Sequence, residues 1–124
     1  VFEHLDHPVE TQLFLAECLR CLRPGGILRL VVPDAGLYLA LYNEAGWDGI
    51  IAARPLVREG DLYKDLWLSY RYRTKLEFIN AVFRQGGEHK YAYDAETLTL
   101  FLREAGFSRA VQQVFGISFS RHNT

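Results

Sequence analysis

Glu3-His4 places a carboxylate beside an imidazole, a pair able to accept a proton or hold a substrate near neutral pH. The same residues can instead orient the helix that follows and anchor its loop. Asp34, just after an apolar run, is a second candidate, although its plainest role is to cap the next helix. His89 and Tyr93 precede the last helix and form a third group, for which packing of the rings is the alternative. Cys18 and Cys21 stand three apart in a helical stretch, with no second Cys/His pair at zinc-finger spacing. A disulfide across one helical turn is strained, so they read as packed thiols in a reducing compartment. The run Trp67, Tyr70, Arg71, Tyr72, Arg73 mixes cations with aromatics, as single-strand binders do. Two arginines in a nearly neutral chain are too few for that role, so core packing with solvated charges is the better reading.

The elements that must position these residues come from one chain of 124 residues, 49% hydrophobic and 14% aromatic, enough for one domain with a modest core. A net charge of −1 creates no field that would draw in nucleic acid or an anionic membrane, and neither partner is expected. No run approaches the ~20 apolar residues of a membrane span, and no signal peptide is visible, so a cytoplasmic location is expected. The chain begins at Val1 and contains no methionine, which reads as a fragment.

Pro8 opens a helix whose stripe is Leu15, Cys18, Leu19 and Leu22, ended by Pro24-Gly25-Gly26. Ile27 to Val32 is apolar almost throughout and predicts a buried parallel strand lying between two others. Asp34 caps a helix ending at Gly46, Trp47 to Gly60 reads as a loop, and Asp61 to Phe83 reads as a long helix. Asp94 caps a last helix that ends at Gly106-Phe107, and Ala110 to Phe119 favours a strand.

Four stretches in order carry a family resemblance: Val1-Phe2-Glu3-His4-Leu5, Glu17 to Asp34 (ECLRCLRPGGILRLVVPD), His89 to Asp94 (HKYAYD) and Leu102 to Phe107 (LREAGF). Together they resemble the second half of small class I S-adenosylmethionine-dependent methyltransferases. The resemblance implies an α/β fold: the C-terminal part of a Rossmann-like, mostly parallel sheet, with a helical insert. Residues 1–124 would form a partial methyltransferase domain, with 36–88 a helical lid packed over the C-terminal strand edge near residues 2–6. Residues 89–124 would supply the last helix and strand. The family's glycine-rich loop and ribose-binding acidic residue have no counterpart here.

In that fold ligands lie beyond the C-terminal ends of the strands. The resemblance therefore implies that Phe2, Glu3 and Leu5 border the S-adenosylmethionine cofactor, that His4 is catalytic, and that Asp34, His89 and Tyr93 border the methyl acceptor. The acceptor, small molecule or macromolecule, is not readable. Methyl transfer from a sulfonium needs mainly alignment and sometimes removal of a proton. Some related enzymes bind a divalent ion through an E-x-x-E-H pattern, but its first Glu would fall before Val1, and no metal is assigned. The chain alone is expected neither to bind the cofactor usefully nor to methylate, and its exposed edges are expected to favour self-association. The reading from a different class is a non-catalytic interaction module derived from a methyltransferase fold.

Overall fold

The structure is a computed structural model, and it describes residues 1–43 and 46–113. After a 3-10 turn at Phe2–His4, helix α1 (Val9–Cys21) runs up to the Pro-Gly-Gly turn. Helices α2 (Ala35–Asn43) and α3 (Gly46–Ala53) follow an extended segment. Strands β1 (Leu56–Glu59), β2 (Leu62–Asp65) and β3 (Arg71–Tyr72) lead to α4 (Lys75–Arg84) and, after a second 3-10 turn, α5 (Ala95–Ala105).

Several local signals act as the sequence dictates. Asp94 accepts the Thr97 amide at the start of α5, whereas Thr74, inside the stretch expected to be one long helix, accepts the Glu77 amide and starts α4 there. The Thr97 bonds hold the Asp94 carboxyl below its ordinary range. Gly106 takes φ +112 to close α5, with the Phe107 amide bonded to the Leu102 carbonyl. A Cβ on Gly106 would come within 2.9 Å of Leu19, so this glycine also lets α5 approach α1. The α1 stripe keeps Leu15 buried, joined by Thr11, whose hydroxyl lies 2.9 Å from His7 Nδ1.

The sheet corrects the expected fold. Among the described residues the only sheet is three-stranded and antiparallel, in the order β1-β2-β3, and it lies inside the segment expected to be a helical insert. The expected Rossmann-like, mostly parallel sheet is not there. Ile27 to Val32 forms no ladder among the described residues; Leu28, Leu30 and Val32 pack on the core while Ile27 and Val31 are 49% and 89% exposed. An apolar run looks the same in sequence whether one face or both are covered, and here the covered face is one. Among the described residues the only parallel pairing is a single bridge between Asp34 and Tyr93. The expected strand from Ala110 is absent as far as residue 113, and its remainder lies outside the described residues.

The insert also departs from the helical reading. Trp47 to Gly60 is α3 and β1, where Trp47, Ile50 and Ile51 share a helical face and Gly49 lets the two helices close, since a Cβ there would meet Leu41 at 3.1 Å. Asp61 to Phe83 is broken by a hairpin and a turn. Gly60, at φ +64, begins the turn that pairs Glu59 with Leu62, and the chain reverses again at Ser69, φ 59, before β3. Periodic apolar residues in this stretch mimicked a helix because alternating strand faces and turns happened to space them that way.

Two apolar cores result. Phe2, Leu15 and Tyr93 are the centre of one, covered by the extended segment and by α5. Ile50, Leu56, Tyr72, Phe78, Ile79 and Val82 form the other, between α2, α3, the sheet and α4. At the second core Asp65 is fully buried. Its Oδ1 accepts the Trp67 and Leu68 amides at 2.8 and 3.1 Å, and its Oδ2 accepts from Arg54 Nε. Burial opposes the Arg54 charge, but the Asp65 carboxylate outweighs this and raises the guanidinium pKa. One side chain thus fastens the end of α3 to the turn between β2 and β3. Replacing it leaves a nearly buried guanidinium without its counter-ion, so Asp65→Ala is expected to lose about 3–5 kcal/mol of unfolding free energy. Urea denaturation followed by circular dichroism measures this; a loss below about 1 kcal/mol would mean that the turn holds without the ion pair.

Candidate functional site

Three segments distant in sequence meet beside the first core: the turn Phe2–His4, the stretch Pro33-Asp34 and the stretch His89–Tyr93. Backbone hydrogen bonds hold them. The Lys90 amide donates to the Glu3 carbonyl at 2.7 Å, and the Ala35 amide donates to the Tyr93 carbonyl at 2.8 Å. A narrow recess between them is lined by Glu3, Pro33, Ala35, Val82, Phe83 and His89. Its cavity volume is about 10 Å³, space for about one water molecule and far below the 300–1,000 Å³ of ordinary small-molecule pockets.

Glu3 lies at the mouth of this recess with its side chain 12% exposed. Its Oε2 accepts from the Val1 amino group at 2.9 Å, while Oε1 stands 3.8 Å from His4 Nε2 and 3.8 Å from His89 Nε2. Burial pushes the Glu3 carboxyl up, but hydrogen bonds from the amino group and the backbone, with the nearby charges, bring it below its ordinary value.

His89 is the fixed member of the group. Its side chain is 6% exposed, and Nδ1 lies 2.6 Å from the Val82 carbonyl oxygen. A carbonyl can only accept, so Nδ1 carries the hydrogen and donates it. In the neutral ring Nε2 then holds the lone pair, and it faces Glu3. His4, on the solvent side with its side chain 41% exposed, has its ring 5.1 Å from that of His89.

The other residues singled out from the sequence have more structural places. Phe2 is buried against Phe14 and Tyr93, with centroids 5.7 and 5.1 Å away, and Leu5 packs on the same core. Asp34 caps α2, its Oδ1 accepting the Gly36 and Leu37 amides at 3.0 and 3.4 Å. Tyr93 is buried in the core beneath the bridge to Asp34. The structure therefore brings Glu3, His4 and His89 into one cluster, with Asp34 and Tyr93 as its supports. Sequence reasoning had not joined His89 to Glu3 and His4, and had not seen the Val82 carbonyl that orients His89. A backbone acceptor leaves no trace in residue types.

No family model, no curated protein and no solved structure matches this chain.

The Tyr93 hydroxyl is buried without a hydrogen-bond partner among the described residues. Burial first, then Tyr91 and Glu3, push its phenol up to about 12. A phenol titrating near 10 in the unfolded chain and near 12 in the fold stabilises the fold fully below pH 10. That contribution is lost as pH rises from about 10 to about 12. Tyr93→Phe is accordingly expected to keep or raise the melting temperature at pH 7, since an unpaired buried hydroxyl is removed. Above pH 10 the variant should melt higher than the parent by a growing margin; thermal melts across that range that run parallel would rule out Tyr93 as the titrating group.

Proposed function

We propose that this chain serves S-adenosylmethionine-dependent methyl transfer, and that it contributes the acceptor side of the reaction. The observation that carries the reading is the meeting of Glu3-His4 with His89–Tyr93 through the Lys90–Glu3 backbone bond. Those two segments carry two of the four stretches that resemble methyltransferases, and the resemblance implies that both lie near the reacting end.

Methyl transfer is an in-line displacement by a nucleophile on an already activated carbon, so alignment supplies most of the acceleration. His4 is half-exposed beside the buried Glu3 and can accept the acceptor's proton or hold its polar atom. Asp34, committed to the α2 amides, shapes the rim and does not react. The glycine-rich loop and acidic residue that recognise adenosine and ribose in the resembling family have no counterpart among these 124 residues, and the methyl acceptor is of unassigned chemistry.

The competing reading is an interaction module without catalysis. It draws support from the exposed Leu66 and Trp67 on the turn after β2, apolar side chains 55% and 68% exposed.

A methyl-transfer assay with radiolabelled S-adenosylmethionine, using the protein as its gene encodes it, separates the two. Methylated product from a panel of small and macromolecular acceptors supports the enzyme; cofactor binding absent by calorimetry overturns it. Within that protein, His4→Ala is expected to reduce turnover about 10²-fold while leaving cofactor affinity within about twofold. Wild-type turnover with a lowered melting temperature would make His4 an anchor of the loop.

A further inference from the structure

We infer that Glu3, His4 and His89 form a binding site for a divalent first-row transition-metal ion. One ligand atom from each of the three lies within 4.8 Å of the other two. Both imidazole Nε2 atoms face the same carboxylate oxygen, Glu3 Oε1, at 3.8 Å.

A metal with bonds of about 2.0–2.2 Å to nitrogen and carboxylate oxygen holds neighbouring ligands about 3–3.5 Å apart. The two measured edges need a contraction of about half an ångström to meet that spacing. The third edge, between the histidines, closes by rotation of His4, whose exposed side chain is free to turn. His89 needs no rearrangement. Its Nδ1 hydrogen is held by the Val82 carbonyl, the outer contact that fixes the tautomer and aims Nε2 in metal-binding histidines.

The ligand types narrow the ion. Two imidazoles and one carboxylate suit Zn²⁺, Fe²⁺, Co²⁺ or Ni²⁺, whereas Mg²⁺ and Ca²⁺ favour oxygen-only sets. Three protein ligands leave at least one coordination position for water or an oxygen of a bound molecule.

The inference shares its residues with the methyl-transfer reading but rests on ligand geometry alone. Its test contains neither cofactor nor acceptor, so either idea can fail without the other.

The chain is titrated with Zn²⁺ by calorimetry near neutral pH, and with Co²⁺ by visible absorption. One Zn²⁺ per chain is expected at micromolar affinity or tighter, with Co²⁺ bands of a low-coordinate nitrogen and oxygen site that Zn²⁺ abolishes and equal Mg²⁺ does not. Glu3→Gln and His4→Ala should each weaken Zn²⁺ binding about tenfold or more. His4 is exposed enough that its removal leaves the fold intact, which circular dichroism checks. Glu17→Gln, on the far exposed face of α1, should bind as the parent does. Cys18→Ser/Cys21→Ser should also bind unchanged; if that double variant loses the ion, the thiols held it and the site is wrong. Absence of saturable binding, or affinity that neither Glu3→Gln nor His4→Ala alters, overturns the inference as well.

Discussion

The hydrogen bond from the Lys90 amide to the Glu3 carbonyl, 2.7 Å long, is the constraint around which the site is arranged. It joins the first turn of the chain to the stretch leading into α5, and the Ala35–Tyr93 bond adds the start of α2 to the same junction. Backbone groups buried between packed aromatics must be paired, and these two bonds satisfy them while fixing the register of three segments at once. Phe2 and Tyr93 supply the apolar mass beneath, each almost fully removed from water. With the backbone fixed, the side chains of Glu3 and His89 have little choice but to face one another.

The second core acts on the site through a single carbonyl. Helix α4 buries Phe78, Ile79 and Val82 against α2, α3 and the sheet, and its geometry sets where the Val82 oxygen points. That oxygen receives His89 Nδ1, so the tautomer of His89 is decided by packing in a different part of the molecule. Asp65 in turn keeps the insert's sheet and α3 together by saturating both carboxylate oxygens within the fold. Buried carboxylates of this kind specify one arrangement of turns, because any other would leave the charge without partners.

Glu3 is mostly buried, with its Oε2 paired to the Val1 amino group, and the two imidazoles stand 3.8 Å from its Oε1, too long for hydrogen bonds but short enough for a shared positive partner. The exposed apolar residues of the extended segment, Ile27 and Val31, by contrast, contribute no chemistry to the site.

The sequence by itself determined the features that depend on neighbours within a few positions. The caps at Asp94 and Asp34, the left-handed close of α5 at Gly106 and the Pro-Gly-Gly turn each need only a side chain and the next few backbone groups. The same locality made Glu3, His4 and His89 visible as chemically capable residues, one at a time. What the tertiary structure decided was everything that depends on which face is covered. Ile27 to Val32 reads the same whether a strand lies on each side or none does, and the periodic apolar residues of 61–83 fit a helix until Gly60 and Ser69 reverse the chain. His89 became part of the site only because a backbone amide next to it found the Glu3 carbonyl and a backbone carbonyl on α4 took its ring hydrogen. Backbone donors and acceptors are identical at almost every residue, so their pairing carries no sequence signature and is settled by packing alone.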